Sequence, residues 1–228
     1  MPAATSAPRA AASAPKAPRL PSFAPASYAG SGDLTGLEPD GRCEGLLFDS
    51  DDADGQDLED TMFTGCGFRR VSLMGAALAR ASFGECEFDD LNAPVLEAPN
   101  SGWRNTRISR GRIGSAELHG ANLRSVLFDG GKLGYLNLRQ AKLKDVLFRD
   151  AIIEELDLGG ASLDRVAFED CRVDSLLVNG ARLVDVDLRG ARLRAITGLS
   201  GLRGAVVGQL QLQDLAPLLA REAGLRVL

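Results

Sequence analysis

Every fifth residue from Cys43 to Leu193 is apolar, running through Phe48, Ala53, Leu58, Phe63 and Phe68 and onward without a break over 31 positions. Only Ala53, Ala93 and Ala98 among them are smaller than Cys, in a chain that is 45% apolar in all. An amphipathic helix repeats at about 3.6 residues and a half-buried strand at 2, and neither period fits residues 41–197. The residue two places earlier obeys a second rule. From Ala121 through Val126, Gly131, Leu136 and Ala141 to Ile196 it alternates small and larger. A five-residue period with two inward positions describes a chain that turns a corner every five residues around one narrow interior.

The longer repeat says how many corners close a turn. The pentapeptides VLFDG (126–130), VLFRD (146–150) and VAFED (166–170) recur at intervals of twenty residues. Phe48, Phe68, Phe88, Ile108, Phe128, Phe148, Phe168 and Leu188 form one column at that spacing, and Phe63, Phe83, Trp103 and Leu123 form another. Four sides of five residues make a coil, and coils joined by backbone hydrogen bonds rise about 4.8 Å each. Roughly eight coils then give a rod about 40 Å long. With aromatic residues at 5% of the chain, repeated aliphatic side chains must supply most of the filling.

The units ANLRS (121–125), LNLRQ (136–140), AKLKD (141–145), ARLVD (181–185), VDLRG (186–190) and ARLRA (191–195) resemble the A(D/N)LXX motif of the pentapeptide-repeat protein family. The resemblance covers about 155 of the 228 residues. It implies an all-β solenoid, a right-handed quadrilateral β-helix. It also implies that C-terminal helices can cap the rod and pair two subunits. Some members of the family bind DNA gyrase and protect it from quinolones, as acidic dimeric rods that look like duplex DNA.

A solenoid must close its ends. Residues 1–19, rich in Ala, Pro and Ser, read as a disordered tail, and residues 20–40, with Leu20, Phe23, Tyr28 and Leu34, as an N-terminal cap or linker. Asp51 and Gln56 fall at inward positions, which makes the first coil irregular. The β-helix spans 41–197. Pro94 and Pro99 remove backbone donors and are expected to weaken the ladder locally. The frame lapses at Gly198, leaving 198–228 as a helical cap. There Leu212, Leu215, Leu218 and Leu219 form a helical stripe and a candidate homodimer segment. Pro217 is expected to start a second short helix, and Gly224 to stand just past a helix end.

Composition narrows the function. A net charge of −5 argues against a general nucleic-acid binder held by phosphate contacts. Four cysteines without a CxxC pair and a single histidine do not make a zinc site. No apolar run approaches the ~20 residues that span a bilayer. The first residues lack a secretory h-region, so a cytoplasmic protein is expected. Arg outnumbers Lys by 22 to 4, consistent with a GC-rich bacterial genome. In FDSDDADGQDLED (48–60), Asp52, Asp54 and Gly55 match an EF-hand loop, but Ser50 and Thr61 stand at its first and last ligand positions. His119 reads as a surface residue, GGKLGY (130–135) lies within the coil frame, and Cys66 and Cys86 read as buried filler. No catalytic residue, cofactor or metal is expected.

Function then belongs to the outer surface. Residues 41–100 carry 13 acids against 4 Arg, and residues 101–197 carry 13 acids against 16 bases. The column Asp49, Arg69, Asp89, Ser109, Asp129, Arg149, Glu169, Arg189 alternates in sign and should pair from coil to coil. A neighbouring column, Arg112, Lys132, Ile152, Arg172 and Arg192, is mostly basic. Asp49, Asp52, Asp54 and Asp57 form one candidate interaction surface. The stacked outward residues Leu127 and Leu147, with Ala167 above them, form another. The expected function is a rigid, non-enzymatic scaffold for a protein partner. The alternative is a DNA-mimic regulator of gyrase or topoisomerase IV.

Overall fold

Most corners of the chain are residues in the left-handed region. The computed structural model describes residues 14–23, 27–222 and 224–226. Among these, 17 non-glycine residues have positive φ, and all fall on numbers divisible by five, from Asp40 and Ser50 to Asp170 and Asp185. Such a conformation costs about 1–3 kcal/mol in an L-residue. It persists because the corner amide is delivered to the next coil: Ser50 N donates to Arg69 O (2.8 Å), Arg110 N to Asp129 O (3.0 Å) and Asp150 N to Glu169 O (2.9 Å).

One corner changes type along the rod. Gly55 and Gly75 hold φ near +68° and +67°. Their successors Val95, Ser115, Tyr135, Glu155 and Ser175 do not enter the left-handed region. The strands Asn92–Glu97, Arg112–Glu117, Lys132–Asn137, Ile152–Asp157 and Cys171–Leu177 therefore run through it. A β-branched Val has no easy access to positive φ, so the corner relaxes into extended chain. Pro94 sits inside one of these strands without breaking its register, since Asn92–Glu97 pairs with Arg112–Glu117. Pro99 still accepts from Arg80 N (2.9 Å).

All pairing is parallel and offset by twenty residues for most of the rod, as in Leu123↔Leu143, Val126↔Val146 and Phe128↔Phe148. Of the 31 five-spaced inward residues all but the half-buried Leu193 are buried, while at the second inward position Asp51, Gln56, Gly131, Ala181 and Ile196 are half-buried. Ring centroids in the Phe column stand 5.1 Å (Phe48–Phe68), 4.3 Å (Phe68–Phe88), 4.7 Å (Phe128–Phe148) and 4.9 Å (Phe148–Phe168) apart. These bracket the ~4.8 Å spacing of neighbouring strands. Trp103 continues the second column 4.3 Å from Phe83, and its Nε1 donates to the buried Ser101 Oγ (2.8 Å). One stack is ten strands deep, from Gly30–Ser31 to Ala205–Val206, so the solenoid makes about nine turns.

Both ends are closed. Leu34 is fully buried, its amide donating to Asp51 Oδ2 (3.1 Å), so the polar residue at an inward position anchors the plug. At the other end Gln211 Nε2 donates to Leu188 O and Ala191 O, each at 2.6 Å. The closing helix is a single element, Gln209–Glu222, with Pro217 inside it. The expected second helix does not form. Pro217 and Gln213, whose carbonyl loses its partner to the missing N–H, both lie exposed, where water serves the carbonyl. Gly224 has φ +72°, its N–H reaches Arg221 O (3.0 Å) and Leu225 N reaches Ala220 O (2.8 Å), a Schellman termination.

Candidate interaction surface

The acidic coil is tied into turns and ion pairs. Asp49 pairs with Arg69 (3.6 Å) and with Arg70. Asp52 Oδ1 accepts from Asp54 N (3.1 Å), Asp57 Oδ1 from Glu59 N (3.1 Å), and Asp54 Oδ1 from Ser72 Oγ (2.6 Å) and Met74 N (2.8 Å). Among the described residues, no three His, Cys, Asp or Glu side chains converge as a cation site would require. His119 is exposed, 3.9 Å from Glu117. The four cysteines are free and buried; contact with Cys66, then burial, pushes the Cys86 thiol up, which keeps it protonated filler.

The alternating column pairs between coils in part. Asp129 is held by Arg149 (2.9 Å) and by Arg107 (2.6 Å), and Asp89 by Arg110 (2.6 Å). Arg149 first, with Arg107 adding to it, keeps the Asp129 carboxyl below its ordinary range. Arg189 turns to Asp187 of its own coil (2.6 Å). Exposed pairs contribute only ~0.2–1 kcal/mol each, so their main effect is on the field: neighbouring charges cancel.

Leu127 and Leu147 point outward, yet they are 4% and 8% exposed. Residues 14–23 lie along the same side of the rod. Lys16 N donates to Asp185 Oδ1 (3.2 Å) and Lys16 Nζ stands 3.6 Å from Asp185 Oδ2. Arg19 N donates to Asp145 Oδ1 (2.9 Å), two residues from Leu147. Further along, Tyr28 occupies the space over Gly67, where any Cβ would overlap its ring. Residues 14–23 thus lie against the coils of Asp185 and Asp145, and Tyr28 lies against the coil of Gly67. The disordered tail expected over 1–19 falls, for residues 1–13, outside the described residues; residues 14–19 lie on the rod. Leu127 and Leu147 do not form an open patch: both are buried, and the segment is held at Asp145, two residues from Leu147.

Asp145 anchors the arrangement. It stands at a corner with φ +58° and is 5% exposed. Arg165 holds it through two hydrogen bonds of 2.6 and 2.8 Å. Arg165 first, and the Arg19 amide after it, keep the carboxyl below its ordinary range. Sequence reasoning missed Asp145, Asp185, Lys16, Arg19 and the Tyr28–Gly67 contact. The available signal was Pro15, Pro18 and Pro21, three prolines at a strict interval of three.

The closing helix makes the other notable feature. Leu215 is buried and Leu218 half-buried, while Leu210, Leu212 and Leu219 are 76%, 44% and 39% exposed. The candidate dimer leucines therefore divide, two turned toward the rod and two away from it. A concavity of about 750 Å³ lies between the helix and the last coils, lined among others by Arg172, Arg192, Leu210, Asp214 and Leu218.

No protein-family model matches the chain, and no curated protein does. Among solved structures it is similar to QnrB1, a plasmid-mediated fluoroquinolone resistance protein. A trypsin-treated form of QnrB1 is 20% identical over 89% of this chain and 98% of that one, with a TM-score of 0.45. The full-length form is 20% identical over 85% and 96%, with a TM-score of 0.36. HetL, a pentapeptide-repeat protein involved in heterocyst differentiation regulation in the cyanobacterium Nostoc, is 18% identical over 78% of this chain and 93% of its own, with a TM-score of 0.34. By its own twenty-residue coil, its corners and its filled interior, the chain has the pentapeptide-repeat β-helix fold. Its similarity to the quinolone-resistance protein is distant, and its function must be read from its own surface. Among the described residues no helix is long and apolar enough to cross a membrane.

Proposed function

We propose that this chain is a non-enzymatic scaffold whose rigid outer faces bind a protein partner. The observation that supports this reading is a contact the surface already makes. Residues 14–23 are held as an extended peptide against several coils, through Asp145 and Asp185. A stack with its rungs hydrogen-bonded on both sides offers such a peptide fixed positions at fixed spacing. Affinity capture from a bacterial lysate tests the scaffold reading, with wild type compared against Asp185→Asn and against Leu212→Glu/Leu219→Glu. The reading expects a partner enriched on wild type and lost with one of these two variants. Enrichment indifferent to every surface change, or turnover of a substrate by the purified protein, would overturn it. The exposed Leu212 and Leu219 also suit a second copy of the chain, for which light scattering should give a mass near twice 24.1 kDa.

One observation favours the second reading, a DNA-mimic regulator of gyrase or topoisomerase IV. Asp52, Asp54 and Asp57 take part in no ion pair among the described residues and lie together at one end of the rod. Inhibition or protection of gyrase supercoiling by the purified protein, abolished by charge reversal of Asp49, Asp52, Asp54 and Asp57, would establish it in place of the first.

A further inference from the structure

The segment that crosses the rod has its own period. Prolines at 15, 18 and 21 fix their own φ and push the residue before each to extended chain, which favours a polyproline II path over residues 14–23, where neither α-helix nor strand forms. A polyproline II path has three residues per turn and rises about 3.1 Å per residue, so a three-residue step advances about 9.3 Å. Two coils of the solenoid advance about 9.6 Å. The two repeats are commensurate. Lys16 and Arg19, three residues apart, meet Asp185 and Asp145, forty residues and two coils apart.

The chemistry of the contact fits the same geometry. A polyproline II helix makes no internal hydrogen bonds, so the amides of Lys16 and Arg19 are free to donate outward. Both donate to carboxylates, the stronger kind of hydrogen bond. Arg165, on the corner between the two acids, pairs with Asp145 and Asp164 and fixes where the acceptors stand. The third face of the segment carries Ala17, Leu20 and Phe23, with Leu20 and Phe23 half-buried, and it crosses the rod where outward Leu127 and Leu147 are buried. The groove thus offers two acids, Asp145 and Asp185, two coils apart, and an apolar stripe beside them. It contacts backbone amides and one ammonium group of the segment, and no strand pairing ties residues 14–23 to it.

We propose that this face is a recognition groove for basic, proline-rich peptides of the form Pro-(Lys/Arg)-x repeated at three residues, and that residues 14–23 occupy it as a tethered competitor. The inference rests on the scaffold reading and names the class of partner. A tethered segment acts at an effective concentration of about millimolar, so an external peptide binds in measurable amounts only when it outcompetes the segment or when the segment is loosened.

The test is fluorescence anisotropy with a labelled peptide of sequence APKAPRLPSF, titrated with the full chain. Wild type is compared with Pro15→Gly/Pro18→Gly/Pro21→Gly, which loosens the segment and leaves every coil untouched. The proposal expects the loosened variant to bind the peptide about tenfold or more tightly than wild type. Adding Asp185→Asn to that variant should weaken binding several-fold, and a peptide with Glu in place of its Lys and Arg should not bind. Asp185 is half-buried at a corner near one end, so its replacement spares the core. Equal affinity for wild type and loosened variant, or binding indifferent to the basic residues, would overturn the proposal. Peptide binding that fails while lysate capture persists through Leu212 and Leu219 would overturn the groove alone and leave the scaffold reading standing.

Discussion

Phe148 is the residue whose removal the stacked interior should tolerate least. It is fully buried, with Phe128 at 4.7 Å on one side and Phe168 at 4.9 Å on the other, both near parallel. Truncating a buried Phe to Ala costs about 3–5 kcal/mol, the spread depending on how far the surroundings collapse. Here they collapse little. The rungs above and below are fixed by backbone pairing over Lys142–Arg149, so the two flanking rings cannot close the gap. Two stacked ring pairs are lost as well, each contributing about 0.5–1.5 kcal/mol beyond area. Phe148→Ala should therefore cost about 4–5 kcal/mol, the upper end of that range. Phe148→Leu should cost about 1–2 kcal/mol, because the same column already accepts Ile108 and Leu188. Urea unfolding followed by far-ultraviolet circular dichroism measures both, with an unchanged m-value as the control for two-state comparison. An Ala cost below about 2 kcal/mol, or equal costs for Ala and Leu, would refute the claim that fixed rungs hold the cavity open.

Three other outcomes follow from named residues. Gln140 holds φ +58°, so Gln140→Val should destabilise by about 1–2 kcal/mol while Gln140→Gly is near neutral, both read from urea midpoints. Asp129 and Asp145 have folded carboxyl pKa values depressed below their unfolded value of about 3.9, so their contribution is present above that pH and lost as pH falls through the folded values. The urea midpoint of wild type should drop more steeply between about pH 6 and about pH 3 than that of Asp129→Asn/Asp145→Asn, and equal slopes would contradict this. Gly67→Leu should expel Tyr28 from its seat, raising chymotryptic cleavage after Tyr28 without lowering the urea midpoint by more than about 1 kcal/mol equivalent.

The coil was legible because its signal is redundant. A side chain facing a closed interior is chosen for size and apolarity alone, so Phe128, Phe148 and Phe168 declare their stacking at sight. The corners were less visible, since Asp, Asn, Arg, Gln and Ser all occupy positive φ here and no residue type marks the position by itself. The nine turns exceed the expected eight because Gly30–Ser31 and Ala205–Val206 join the stack through backbone pairing, outside the apolar frame. Pro217 misled because Gln213, whose carbonyl both loses its donor and meets the proline ring, is exposed, so the carbonyl can turn to water and the helix continues past it. The surface site was the hardest part. Leu127 and Leu147 read as outward, yet both are buried, and the segment held at Asp145, two residues from Leu147, lies more than a hundred residues earlier in the chain. Asp145 looked like any corner residue, and the prolines at 15, 18 and 21 read as disorder when their spacing was not set beside the rise of the coil.

The account of the surface turns on whether the Lys16–Phe23 segment occupies its groove in solution. Hydrogen–deuterium exchange of the intact chain at neutral pH measures this at the amides of Lys16 and Arg19, compared with the free APKAPRLPSF peptide under the same conditions. The account predicts slowed exchange at both amides in the intact chain, with Arg19 the slower because Asp145 is buried, and recovery of the free-peptide rate when the three prolines are replaced by Gly. Exchange at the free-peptide rate in the wild-type chain would contradict it.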